Sequence, residues 1–204
     1  MAQVLKDEVE QRIRQAALQV FARRGFVASS MADIALRAAI SQGNVYRYFR
    51  SKELLFEAVV PRELAERLLS LLRRRVRALS GERDVDALPA NAPFRLAAED
   101  LLCFALQHRL EVAVLLGKAE GSVYEGFDLQ VRRMLEKLAL QHFRKLEPGL
   151  EVKRAQLLVL KFAYQSLLRA TVEILLENEH EPAIREAVAC YGNYHLAGLK
   201  RLFS

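Results

Sequence analysis

Within seven residues, 42–48, the chain carries two amides (Gln42 and Asn44), a guanidinium (Arg47), two phenols (Tyr46 and Tyr48) and a glycine (Gly43). Held on an exposed helix, these groups suit the reading of a DNA groove. Either amide pairs bidentately with adenine, and the two parallel donors of Arg47 match guanine. Gly43 lets the backbone approach a groove wall, while the hydroxyls of Tyr46 and Tyr48 fit phosphate oxygens. Further phosphate contacts are expected from Lys52, from Ser30 with the free amides of a helix start, and from Arg37.

The flanking residues describe the elements that must position these groups. Ser30 with Asp33 three residues later has the spacing of a capping box, which opens a short helix with Ile34, Ala35 and Ala38 inward. Ser41 caps a second helix over 42–48, whose buried side is Val45 and Phe49. Two short helices joined by a tight turn, with a third starting near Ser51, make a helix-turn-helix. A helix over roughly 4–24 precedes them, with Val9, Ile13, Ala16, Ala17, Val20 and Phe21 on one face and Gly25 at its end.

The run Gly25-Phe26, Ser29-Ser30, Asp33-Ile34-Ala35, Ala38, Ser41, Gly43, Tyr46, Tyr48-Phe49, Lys52-Glu53 and Leu54 resembles the DNA-binding head of the TetR family of bacterial transcriptional regulators. The resemblance covers about Val9 to Ala58. It implies an all-α fold: a helix-turn-helix domain over residues 1–50, then a helical effector-binding and dimerisation domain over 51–204, about nine helices in all. It also implies phosphate roles for Tyr46 and Tyr48, and a ligand-responsive repressor released from DNA by a small, largely apolar effector. One position departs from the family pattern. Ala39 stands in the turn where glycine is usual, and a left-handed alanine costs about 1–2 kcal/mol.

Charge distribution points the same way. Residues 1–80 hold 15 Lys/Arg against 8 Asp/Glu, whereas residues 81–204 hold 16 against 17. The basic excess therefore accompanies the helix-turn-helix, as phosphate neutralisation requires. No apolar run is long enough to span a bilayer, and the N-terminus lacks the apolar stretch of a secretory signal, so a cytoplasmic location is expected. Cys103 and Cys190 fall within apolar helical pattern and read as two reduced core thiols.

Beyond the head, a long helix runs from near Ser51 toward Leu79, kinked or split by Pro61. Its Arg73, Arg74, Arg75 and Arg77 read as a solvated face. Residues 80–93, with a glycine and two prolines, form a linker-like loop. Helices are expected over about 94–107, 109–118, 124–146, 152–179 and 182–202. The last two are apolar on nearly every side, which requires a second covering surface. A homodimer through these two helices supplies it and would set two recognition helices roughly 34–36 Å apart on a near-palindromic operator.

Candidate polar points in an effector cavity are His108, Tyr124, His142, Tyr164, Gln165 and Arg169, with Phe104, Phe127 and Phe162 as walls. The shortlist is Phe104, His108, Tyr124, Phe162 and Gln165. The four histidines are too far apart in sequence to form a short-range ligand pair, so no metal and no cofactor is expected. Neither a phosphate-binding glycine loop nor a nucleophile elbow is present, which argues against an enzyme. The alternative is a DNA-binding factor without a small-molecule effector.

Overall fold

The computed structural model describes residues 2–79, 81, 82, 85 and 87–203. Among them are ten helices and no strand: α1 (Ala2–Arg24), α2 (Met31–Arg37), α3 (Gln42–Tyr48), α4 (Lys52–Val59), α5 (Arg62–Arg77), α6 (Pro93–Gln107), α7 (Arg109–Gly117), α8 (Phe127–Leu146), α9 (Arg154–Glu177) and α10 (Glu181–Leu202). The count exceeds the expected nine because Pro61 splits the predicted 51–79 helix. The Val60 N–H closes α4 on the Phe56 carbonyl at 2.8 Å, and the chain then turns extended at Pro61 before α5 begins. Of the expected loop at 80–93, residues 80, 83, 84 and 86 lie outside the described residues. Its described end is tied to α6 by Arg95, which donates to the Leu88 carbonyl at 2.8 Å.

α1 ends where expected. Gly25 adopts φ +80°, and its N–H bonds the Phe21 carbonyl at 2.8 Å. The core of the head is the inner face of α1 (Ile13, Ala17, Phe21) against Ile34, Val45 and Phe56. Phe21, Phe26 and Phe56 form an aromatic cluster with centroids 4.9–5.9 Å apart, and the cluster continues through Tyr124 at 6.2 Å from Phe56. Such edge-on and tilted pairs add about 0.5–1.5 kcal/mol each beyond their buried area.

α7 is the central strut of the body. Val112 through Leu116 are all buried, because α1 packs on it from one side and α8 and α9 from the others. Gly117 permits the close approach to α9, since a Cβ there would stand 3.0 Å from a Val172 methyl. The segment after α7 also seals the head to the body. The Lys118 carbonyl accepts the Phe26 N–H at 2.9 Å, and at Gly121 (φ +75°) a Cβ would fall 2.6 Å from a Val27 methyl.

On α9, Leu160, Tyr164, Leu168, Val172 and Leu175 form one buried stripe, while Leu157, Leu158, Val159 and Phe162 are exposed. Tyr194 on α10 is 71 % exposed. The predicted second apolar surface therefore exists and is uncovered in the single chain. No described helix is long and apolar enough to cross a membrane.

Two expectations are overturned. Cys103 and Cys190 are exposed free thiols, not core residues. The amphipathic faces of α6 and α10 turn them outward, and the Cys103 thiol bonds the Glu99 carboxylate at 3.2 Å. Of the arginines closing α5, Arg73, Arg74 and Arg77 are exposed as expected, but Arg75 leaves that face. Arg73 lies against the Met134 sulfur, Arg74 pairs with Asp100, and Arg75 turns inward over the Phe94 ring at 5.2 Å.

Candidate nucleic-acid interface and effector cavity

Local hydrogen bonding builds the head from its caps. The Ser30 hydroxyl accepts the Asp33 N–H at 3.1 Å, and the Asp33 carboxylate accepts the Ser30 N–H at 3.0 Å and the Ser30 hydroxyl at 2.6 Å. That hydroxyl bond, seconded by the Arg24 guanidinium 2.6 Å away, holds the Asp33 carboxyl below its ordinary pKa against the opposing effect of burial. α2 ends at Ala38. Ala39 then adopts φ +52°, the one left-handed non-glycine among the described residues, and Ile40 donates back to the Ala35 carbonyl at 3.1 Å. Ser41 restarts the helix by accepting the Asn44 N–H at 3.2 Å.

The side chains of α3 divide cleanly. Val45 is fully buried, and Asn44 and Tyr48 beside it are half-buried. Gln42, Gly43, Tyr46 and Arg47 occupy the opposite face and are exposed. At 100° per residue they form a single patch pointing away from the core. A Cβ at Gly43 would meet nothing within 4 Å, so no internal contact explains the glycine.

Three supporting residues have definite partners. Arg37 is exposed on α2 and bonds Gln19 on α1 at 2.7 Å. The Lys52 ammonium donates to the Phe26 and Ser29 carbonyls at 2.8 and 2.9 Å and stands 4.2 Å over the Phe26 ring. It therefore pins the α1–α2 loop from below, a role with no sequence signal because its partners lie 23 and 26 residues earlier. Arg14 donates to the Ala58 carbonyl at 2.7 Å and covers the Phe49 ring at 5.2 Å. It braces the end of the recognition helix and was not singled out by the sequence.

A cavity of about 690 Å³ lies in the body between α5, α8, α9 and α10. Its walls are mostly aliphatic, including Leu72, Val76, Leu135, Ala139, Leu167 and Leu199, with Phe143. Polar side chains line it too: Arg75, His142, Tyr164 and His195 lie inward, while Glu82, Asn193, Lys200 and Arg201 are exposed. The Tyr164 and His195 rings meet edge-on at 5.0 Å. Burial raises the Tyr164 pKa, opposed by the Arg75 charge. Burial, with Arg75 acting in the same direction, pushes His195 down to about 4. His142 is also lowered by burial, partly offset by a hydrogen bond with the Leu79 backbone. His142 Nδ1 and His195 Nε2 are buried without a hydrogen-bond partner.

Of the effector candidates read from sequence, His142 and Tyr164 reach this cavity, but none of the five shortlisted residues does. Phe104 and His108 meet each other in a tilted pair at 4.8 Å, and neither lines the cavity. Tyr124 packs against Phe56 and Phe127. Phe162 and Gln165 lie off the buried stripe of α9 and face outward. Arg75, which the sequence reading assigned to solvent, does line the cavity. Its spacing carried the signal, since Leu68, Leu72, Arg75 and Leu79 mark one helical face.

Residues 13–59 match the family model described as bacterial regulatory proteins, tetR family. An HTH-type transcriptional repressor of Mycobacterium tuberculosis is 40% identical over 81 residues, which is 40% of this chain and 43% of that protein. The HTH-type transcriptional regulator UidR of Escherichia coli is 40% identical over 62 residues, 30% of this chain and 31% of that protein. The chain thus matches less than half the length of these curated relatives. A tetR-family transcriptional regulator from Streptomyces coelicolor aligns over 96% of this chain and 88% of its own, at 21% identity and a TM-score of 0.39. The matched segment contains both short helices, the left-handed turn and the exposed outer face of α3, and over residues 13–59 the chain carries a segment of the tetR family of bacterial regulatory proteins.

Proposed function

We propose that the protein is a ligand-responsive transcriptional repressor that binds a near-palindromic operator as a homodimer and is released by a small-molecule effector. One observation carries the DNA-binding part: α3 turns Gln42, Gly43, Tyr46 and Arg47 outward as a single face, from a turn fixed by caps at both ends. In this reading Gln42, Asn44 and Arg47 address base edges, and Gly43 admits the groove wall. Ser30, Arg37, Tyr46, Tyr48 and Lys52 serve phosphates. Lys52 acts through the one N–H left after its two carbonyl bonds, and Ser30 through the amides of its helix start.

The exposed apolar residues of α9 and α10 support a dimer, and the cavity favours an effector over a factor without one. An effector must bind the released arrangement more tightly, because equal affinity for both arrangements shifts nothing. Selection from randomised duplex DNA tests the proposal. A palindrome with half-sites about one helical turn apart, or a close multiple, is expected. Enrichment of a single half-site would refute the dimer. Arg47→Ala should relax preference at one base pair at a cost of about 1–3 kcal/mol, and unchanged preference would remove it from the readers.

A further inference from the structure

Arg75 is the feature of the body that an apolar cavity does not explain. It lies on the inward face of α5, largely enclosed, and no carboxylate pairs with it among the described residues. Its recorded neighbours are the Phe94 ring, the Tyr164 phenol and His195, none of them anionic. The nearby acid Glu136 is taken by Arg132 at 2.5 Å. Glu82 also lines the cavity but is exposed, as are Lys200 and Arg201, and it makes no ion pair with Arg75. A guanidinium stays protonated at any physiological pH, so the cavity holds a permanent cation.

An enclosed cation with no counter-ion among the described residues is costly, and it rewards whatever ligand supplies the anion. Arg also favours planar two-oxygen anions, which it holds through two parallel N–H donors. The remaining walls are aliphatic and aromatic, and they would cover an uncharged body. Resting on the reading of this cavity as the effector site, we infer that the effector is a monocarboxylic acid with an apolar body, its carboxylate held by Arg75 and the Tyr164 hydroxyl. The buried nitrogens of His142 and His195 add polar positions for an oxygen substituent on that body.

Titration calorimetry on the full chain tests this with decanoate and decan-1-ol, which share a chain and differ in the head group. Decanoate is expected to bind about tenfold or more tightly than the alcohol, the scale of a hydrogen-bonded charge pair. Arg75→Met keeps the length and removes the charge, so it should abolish that preference while leaving alcohol binding unchanged or improved. Arg75→Lys should retain part of the preference. Thermal melts of both variants distinguish loss of a binding group from loss of the fold, and a folded Arg75→Lys alone suffices, since wild-type preference in it excludes bidentate recognition.

Equal binding of acid and alcohol to the wild-type chain would overturn the inference. So would no binding of any straight-chain acid from hexanoate to tetradecanoate. Operator binding is measured separately, so the two readings fail separately. Arg75-dependent acid binding without DNA release would leave the carboxylate site standing and remove the effector-release mechanism. DNA release by the alcohol, with acids excluded, would do the reverse.

Discussion

Replacing Ala39 tests whether the helix-turn-helix stores strain at its turn. At φ +52° an L-residue brings its Cβ close to the following carbonyl, at a cost of about 1–2 kcal/mol relative to glycine. Ala39→Gly removes that cost and loses no packing, because the methyl is exposed. Against the gain stands the extra backbone freedom of glycine in the unfolded chain, about 0.4–1 kcal/mol. The net expectation is a stabilisation of about 0.5–1 kcal/mol, or roughly 1–4 °C in Tm for a protein of this size. Ala39→Val must go the other way, since branching at Cβ makes positive φ a genuine outlier, and a loss of about 1 kcal/mol or more is expected. Urea unfolding of the three proteins with unchanged m-values provides the assay. A glycine variant less stable than the wild type, or a valine variant equal to it, would show that the turn does not hold this conformation in solution. Operator affinity should be nearly unchanged in Ala39→Gly, because the flanking caps at Ser30 and Ser41 already set the angle of α3.

Other outcomes follow from the same geometry. Gly43→Ala should raise stability by up to about 1 kcal/mol, as helix propensity predicts, yet weaken operator binding at least several-fold by gel shift; unchanged affinity would move Gly43 away from the groove wall. Lys52→Met should lower both operator affinity and stability, the latter by about 1–2 kcal/mol, since two carbonyls lose a charged donor; urea unfolding at wild-type stability would refute the pinning role. The His195 pKa lies below the unfolded value, so the neutral ring contributes stability that is fully present above about 6.5 and lost as pH falls toward 4. A displacement from 6.5 to about 4 corresponds to at most about 3 kcal/mol, and His195→Gln should flatten the melting profile over that window. An equally steep profile in the variant would assign the loss to other groups.

The head was legible because its signals are local. Serines at 30, 41 and 51 each bond a backbone amide three residues on, and those spacings are written in the sequence. Pro61 announced a break, although only the structure distinguishes a kink from two helices. The cavity of the body was less legible because its walls come from four helices whose mutual rotation no local pattern specifies. Phe162 and Tyr164 illustrate the difference. Both lie in one apolar stretch, yet the stripe that includes Leu160, Leu168 and Val172 takes Tyr164 inward and leaves Phe162 54 % exposed. Arg75 was readable in principle, as a cation at an apolar position of α5, but isolated arginines at helix C-termini are so often surface groups that its spacing carried little weight.

The bond from Phe26 to the Lys118 carbonyl, with Gly121 pressed against Val27, bears on how such regulators are recombined. A graft that transplants only residues 1–50 onto a foreign body would cut α4 away from its aromatic partners and strand the Phe26 N–H. Carrying the head to Val59 keeps Phe56 with Phe21 and Phe26 but still loses the strip at 118–124 that closes over them. The portable unit is therefore discontinuous in sequence: the head plus the short loop between α7 and α8. Chimaeras that include both pieces should keep their operator affinity and remain switchable, whereas those built from the head alone should bind DNA without hearing the new body.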